Sequence, residues 1–179
     1  MKYLRRIVSF FASRLLVLCL ILGLVITVFY YAMNISNIQI VLKDGMATRA
    51  KYVMGIDTKR SELSKYFQQV CLENDTVVTQ TDAGFSPYAD YNVRGIDHRL
   101  EMSFMWVWPW ENSVRLTIRE RIPRIDGRVK GTKADEQIAR NGAEAVYPPP
   151  WPEAEYRVLL SRENGQWKMK TLSPVNRQQ

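Results

Sequence analysis

The stretch LLVLCLILGLVITVFYYAM, residues 15–33, contains no charged side chain and predicts a single apolar helix. At a rise of about 1.5 Å per residue, a helix of this length can cross the hydrocarbon layer of a bilayer, which is about 30 Å thick. The stretch ends in Phe29, Tyr30 and Tyr31, and aromatic residues are favoured at membrane–water interfaces. Because the run is longer than the apolar core of a cleaved signal peptide, we expect an uncleaved transmembrane anchor.

The residues before this stretch set its expected orientation. Four basic residues and no acidic residue precede it, namely Lys2, Arg5, Arg6 and Arg14. Positive charge holds the adjoining end of a membrane helix in the cytoplasm. The sequence therefore predicts a single-pass protein of the cell membrane, with a cytoplasmic flank at 1–14, a span at 15–33, an extracytoplasmic domain at 34–172 and a tail at 173–179.

Charge and cysteine content restrict the class of this domain. The chain has 25 Lys and Arg against 18 Asp and Glu, and without the four cations of the flank the balance is 21 against 18. This small excess argues against a nucleic-acid partner. The two cysteines are Cys19 in the predicted span and Cys71 in the domain, so a disulfide within the domain and a cysteine-based zinc site are excluded.

Residues 34–172 predict an α+β domain. Apolar residues recur every three or four positions over 38–54, which indicates an amphipathic helix that ends at Gly55. A second helix is expected to follow, with an apolar face formed by Leu63, Tyr66, Phe67, Val70 and Cys71. From Tyr88 the pattern changes to alternation, which is typical of strands.

The clearest pair of strands is predicted at residues 99–107 and 114–122, joined by a turn at 108–112. In the first strand one face would carry four apolar residues, Leu100, Met102, Phe104 and Trp106. With Val107 opposite Ser113, Leu100 would face Glu120, and Glu101 would face Arg119 in a favourable cross-strand contact.

The chain closes with YRVLLSRENGQWKM, residues 156–169, in which Asn164-Gly165 predicts a two-residue hairpin turn. This phrase resembles the last hairpin of the nuclear-transport-factor-2-like (cystatin-like) superfamily. The resemblance implies two helices packed on a curved, cone-like antiparallel sheet. Combined with one amino-terminal span, the chain is similar to inner-membrane assembly proteins of conjugation and type IV secretion channels, or to related domains of sporulation channels. In those proteins the domain is non-catalytic and self-associates or docks on other membrane or wall-assembly subunits.

A second resemblance is carried by VRLTIRERIP, residues 114–123. It is similar to the strand of division-septum scaffold proteins that lies beside a polypeptide-transport-associated domain. Two helices in immediate succession over 44–70 depart from that pattern, which has a strand between its helices.

A third hypothesis is a small-ligand binder or an enzyme that uses the cavity of the cone. His98 is the only histidine, and Glu120 lies in phase with the apolar face of its strand. With Tyr91 they form the candidate cavity set. A lone buried carboxylate is costly, so we expect Glu120 to pair with an arginine, to be moved outward by a bulge, or to have a raised pKa.

Two surfaces are candidates for binding a partner or lipid. Arg115, Arg119 and Arg121 share one strand face and could bind anionic lipid, an acidic wall polymer or an acidic protein surface. Trp108 and Trp110 flank Pro109 in the predicted turn, and this apolar surface needs a partner, a membrane surface or the proline segment at 148–151 to cover it. No nucleophile motif, phosphate-binding loop or metal-ligand spacing is present, so we expect no enzymatic activity, no cofactor and no metal.

Overall fold

The computed structural model describes residues 2–57 and 59–175, and the side chains of residues 2–9, 132 and 141 lie outside this description. Its α-helices are α1 (Lys2–Val53), α2 (Arg60–Leu63), α3 (Gln69–Asn74), α4 (Thr76–Asp82) and α5 (Ala134–Asn141). Its strands are β1 (Tyr91–Met102), β2 (Ser113–Val129), β3 (Ala154–Glu163) and β4 (Gln166–Pro174). Short 3-10 helices occupy Gly131–Lys133 and Ala143–Val146.

Helix α1 is continuous, so the predicted span and the predicted amphipathic helix form one element. Within the described residues it is the one helix long and apolar enough to cross a membrane, and its most apolar part is not buried by the rest of the chain. The helix ends at Val53, two residues before the predicted end at Gly55, whose φ of +70° allows two closing hydrogen bonds, Gly55 N–H to Tyr52 O and Ile56 N–H to Lys51 O. The side chains of Lys2, Arg5 and Arg6 in the predicted flank lie outside the described part.

The prediction of one helix over residues 63–71 is wrong. Helices α2 and α3 are separate, and between them Phe67 forms a parallel β-bridge with Met169 of β4. Gln68 N–H donates to Met169 O at 2.9 Å, and Met169 N–H donates to Tyr66 O at 2.8 Å. These long-range hydrogen bonds replace those of a helix, and Val70 is consequently exposed.

The sheet is antiparallel with strand order β1-β2-β3-β4. The predicted register of the first hairpin is confirmed, since Leu100 pairs with Glu120 and Glu101 with Arg119. The predicted apolar face is wrong beyond Met102, which is the last ladder residue of β1. After it the alternation shifts by one residue, so that Met105 and Val107 are buried while Phe104 and Trp106 are exposed.

The closing hairpin has the predicted turn, in which Asn164 and Gly165 have φ values of 51° and 80°. Such positive values are required at both central positions of a type I′ turn. Strand β4 continues to Pro174, so the first two residues of the predicted tail belong to the sheet. Residues 176–179 of that tail lie outside the described residues.

The core lies between one face of the sheet and the second half of α1. Helix α1 contributes Ile38, Leu42, Met46, Ala50 and Val53. At Gly45 the helix passes so close to its neighbours that a Cβ would overlap Met169 Cε and lie 2.9 Å from Tyr66 Cβ. The α+β class is confirmed with an open antiparallel sheet, whereas the cone shape remains a prediction.

Candidate functional site

Glu120 is fully buried at the centre of a polar cluster. Its Oε1 lies 3.0 Å from His98 Nε2, and its Oε2 accepts a hydrogen bond of 3.2 Å from Trp151 Nε1. Arg49 Nη1 lies 3.9 Å from the same Oε2. Of the alternatives expected for Glu120, pairing with an arginine is therefore the one observed, and the arginine comes from α1.

Arg49 joins this carboxylate to a second one. Its Nε donates to Asp75 Oδ2 at 2.6 Å, and its Nη2 donates to Asp75 Oδ1 at 3.0 Å. Asp75 also caps α4 by accepting from the backbone N–H groups of Val77 and Val78. The guanidinium thus ties α1 to α4 and to β2.

Electrostatics inside the cluster favour a charged arginine. Burial by itself lowers the pKa of Arg49, but the hydrogen bonds and charge of Asp75 outweigh burial and raise this pKa overall. Burial raises the pKa of the Tyr156 phenol, whose ring lies 5.7 Å from the Arg49 guanidinium. One cation is therefore placed between two carboxylates and aromatic rings, an arrangement that stabilises buried charge.

The candidate cavity residues do not converge. Tyr91 lies at the start of β1, seven residues or roughly 20 Å from His98, and its hydroxyl donates to Ala145 O at 3.2 Å. The side chains of Glu120 and His98 are in contact and are 0% and 6% exposed, and neither residue lines any of the four concave regions described on the surface. Among the described residues no group of three or more His, Cys, Asp or Glu side chains is arranged to hold a metal ion.

The basic strand face is partly neutralised. Arg119 and Arg121 both pair with Glu153, and Arg121 also lies 3.9 Å from Glu101. The predicted contact of Glu101 with Arg119 is therefore replaced by these pairs, although the strand register is as expected.

Arg115 differs from its two neighbours. Within the described part of the chain neither Arg115 nor Arg157 of β3 forms a hydrogen bond or ion pair, and both are exposed. Both line an open groove of about 470 Å³ that crosses β2, β3 and β4. Since Arg115 pairs with Leu159 and Thr117 with Arg157, the two arginines are diagonal neighbours on one sheet face. We call them the arginine pair.

The tryptophans of the first turn form a stack that begins at α1. The Tyr31 ring lies 5.0 Å from Trp106, Trp106 lies 5.4 Å from Trp108, and Trp108 stacks on Trp110 at 5.1 Å. Trp106 is 57% exposed and Trp110 is 68% exposed. We call Trp106, Trp108 and Trp110 the aromatic tip. The proline segment at 148–151 does not cover it, because Trp151 is buried beside Tyr88 and Glu120.

Asn34 fixes this turn to α1. Its Oδ1 accepts hydrogen bonds from Trp167 Nε1 at 2.8 Å and from Arg162 Nη2 at 2.9 Å, while its Nδ2 donates to Trp108 O at 3.3 Å. Arg162 Nη2 also donates to Pro109 O. A single buried amide therefore links the end of the apolar segment to both hairpins.

Asn34, Arg49 and Asp75 hold these clusters together, although none of them was among the residues predicted from the sequence. A signal for two of them was present, since Asn34 and Arg49 lie in phase with the apolar face that contains Ile38, Leu42 and Met46. A polar residue at such a position must find a partner inside the fold. No local sequence pattern indicates which residue that partner is, and this is why Asp75 could not be predicted as the partner of Arg49.

Comparison with protein-family models, with curated proteins and with solved structures found no match to this chain.

Proposed function

We propose that the protein is a single-pass membrane protein whose domain lies outside the cytoplasm and acts as a non-catalytic assembly module through protein–protein contacts. The observation that carries the proposal is the continuity of α1. The same helix contains the uncharged segment and supplies core residues from Ile38 to Val53. A domain built on its own anchor is held at a fixed distance from the membrane, which suits a scaffold subunit.

The arginine pair supports an acidic partner surface. Arg115 and Arg157 carry two uncompensated positive charges beside an open groove, whereas the neighbouring Arg119 and Arg121 are paired within the domain. Complementary charge increases the rate and specificity of association. Two copies that met through this face would place like charges together, so we propose another membrane or wall-assembly protein as the partner on this face. Self-association would use a different surface.

Two further features support a non-catalytic role of the kind found in secretion or sporulation channels. The side chains of Glu120 and His98, the best acid–base candidates, are covered by the fold and bonded to each other rather than open to a substrate. The final hairpin retains the turn on which the resemblance to the nuclear-transport-factor-2-like superfamily rests. The division-septum scaffold remains the alternative, because Phe67 supplies a β-bridge, though not a full strand, between α2 and α3.

The proposal is tested by mild crosslinking of the full chain in its native membranes, followed by affinity purification and mass spectrometry. The wild-type chain is compared with the double variant Arg115→Glu and Arg157→Glu. Lys51→Glu with Lys59→Glu is the matched control, since these exposed residues give the same charge change away from the sheet.

We expect the wild type and the lysine control to recover the same set of membrane or wall-assembly proteins, and the arginine variant to lose it. Recovery of the monomeric protein alone would contradict the assembly role and would direct attention to ligand binding. An unchanged set with the arginine variant would refute the proposed surface alone.

A further inference from the structure

The aromatic tip differs in chemistry from the other two tryptophans of the chain. Trp151 and Trp167 are buried, and their indole N–H groups donate to Glu120 and Asn34. In the described residues the indole N–H groups of Trp106, Trp108 and Trp110 make no hydrogen bond, and these three rings are exposed. Such rings suit an environment that is apolar on one side and rich in acceptors on the other.

The position of the tip along α1 identifies that environment. Trp106 contacts Tyr31, which lies two residues before the end of the uncharged segment 15–33. Starting from Arg14, about 30 Å of hydrocarbon is crossed by about 20 residues of helix, which ends the hydrocarbon near residue 34. The tip is thus level with the outermost turn of the apolar segment, where tryptophan and tyrosine are enriched.

The turn that carries the tip is held in place. Asn34 and Arg162 bind the carbonyl oxygens of Trp108 and Pro109, and Glu111 N–H donates to Trp108 O at 3.0 Å. The rings therefore lose little conformational freedom when they are covered, which favours binding. Phe104, two residues before Trp106, is 87% exposed and adds apolar surface to the same segment.

We infer that the aromatic tip lies in the lipid headgroup layer on the domain's side of the membrane and seats the domain on the bilayer surface. The inference rests on the proposed function, because it requires α1 to span the membrane. It adds a second membrane contact, which restrains rotation of the domain about the axis of α1 and fixes which sheet face is presented to a partner.

The test uses tryptophan fluorescence of the full chain in phosphatidylcholine vesicles that carry a quencher either near the headgroup or near the end of the acyl chain. All five tryptophans lie in the domain, so α1 contributes no signal. The matched control is the triple variant Trp106→Phe, Trp108→Phe and Trp110→Phe. It keeps aromatic rings at the tip and leaves emission only from Trp151 and Trp167.

With the shallow quencher, we expect wild-type emission to fall about twofold, because three of the five indoles contact lipid. The deep quencher should reduce wild-type emission less than the shallow one does, and neither quencher should reduce the emission of the triple variant. The inference would be overturned if the shallow quencher acted equally on the wild type and the triple variant while acrylamide quenched only the wild type. That result would indicate a tip exposed to water.

A third outcome is that neither the lipid quenchers nor acrylamide quench the wild type, and that dilution into excess lipid restores the quenching. This result would overturn the inference in favour of contact between the tip and a second copy of the chain. Flotation of the same vesicles, after alkaline carbonate treatment, measures integration separately. A chain that is not integrated contradicts the membrane anchor itself, whereas an integrated chain without tip quenching contradicts only this inference.

Discussion

The guanidinium of Arg49 binds the carboxylate of Asp75 through two hydrogen bonds, and both side chains are buried. Arg49 lies on α1 and Asp75 caps α4, so this pair joins the helix that carries the apolar segment to the short helices of the domain. Because Glu120 lies on the other side of the same guanidinium, one cation compensates two carboxylates inside the fold.

Replacing Arg49 should be among the most destabilising single changes in the chain. Arg49→Met leaves Asp75 and Glu120 buried without their cation, and we expect a loss of about 3–5 kcal/mol in the free energy of unfolding. This loss is measured by denaturant titration of the full chain in detergent, with tryptophan fluorescence as the readout of unfolding. Arg99→Met, which removes an exposed pair with Asp97, is the control and should change little. Similar effects of the two substitutions would show that the buried pair is not needed.

Asn34→Ala should weaken the junction between α1 and the two hairpins. The substitution leaves the Trp167 indole N–H and an Arg162 N–H without their acceptor, which costs about 1–3 kcal/mol. Asn74→Ala is the matched control, because this exposed asparagine bonds through its side chain to Val70 O alone among the described residues. Denaturation midpoints of the two variants should differ clearly. Equal midpoints would contradict the role assigned to Asn34.

Gly45→Ala tests the close approach of α1 to β4. Alanine favours a helix over glycine by up to about 1 kcal/mol, but here its Cβ would meet Met169 and Tyr66. Met169 Cε can move away cheaply, whereas the Cβ of Tyr66 is fixed near the backbone. We therefore expect net destabilisation of about 1–3 kcal/mol by overpacking. Gly23→Ala on the same helix has open space and should not lower thermal stability; a stabilised Gly45→Ala variant would contradict this packing.

Cys71 should be unreactive while the domain is folded. Burial raises the pKa of this thiol from its ordinary 9.0 to about 12, which lowers the thiolate fraction at pH 8 about 1000-fold. In a Cys19→Ser chain, alkylation should be slower by at least this factor in buffer than in denaturant. Equal rates would show that Cys71 is accessible.

The raised pKa of Cys71 also makes the free energy of unfolding depend on pH. The folded state holds the Cys71 proton more tightly than the unfolded state does, so this stabilisation is complete below pH 9 and is lost as the pH rises towards 12. Denaturant midpoints measured across this interval should fall with rising pH, and Cys71→Ala should make the fall less steep.

The structural features that depend on a few neighbouring residues were predicted correctly from the sequence. The positive φ values of Asn164 and Gly165, the hairpin register at Leu100 and Glu120, and the helix end just before Gly55 all follow from a few neighbouring residues. The burial of Glu120 also follows from its phase on the strand. Its cation, Arg49, lies on another element 71 positions earlier, and no local pattern connects the two.

The two wrong predictions also arise because local patterns do not contain long-range contacts. Apolar spacing over residues 63–71 suits a helix, but Phe67 and its neighbours bind Met169, which is about 100 residues away in the chain. Alternation through Phe104 and Trp106 suits a buried strand face, but β1 leaves the ladder after Met102 and the phase shifts. Both features depend on tertiary contacts that propensity does not contain.

The central claim is that α1 anchors a domain that faces away from the cytoplasm, and labelling of single cysteines in intact cells tests it most directly. Ser13→Cys beside Arg14 and Ser64→Cys in the domain are both exposed, and each is placed in a chain with Cys19→Ser and Cys71→Ser. We predict that a membrane-impermeant maleimide labels Cys at position 64 in intact cells and at position 13 only after permeabilisation. Labelling of position 13 alone, or of neither position before permeabilisation, would contradict the account.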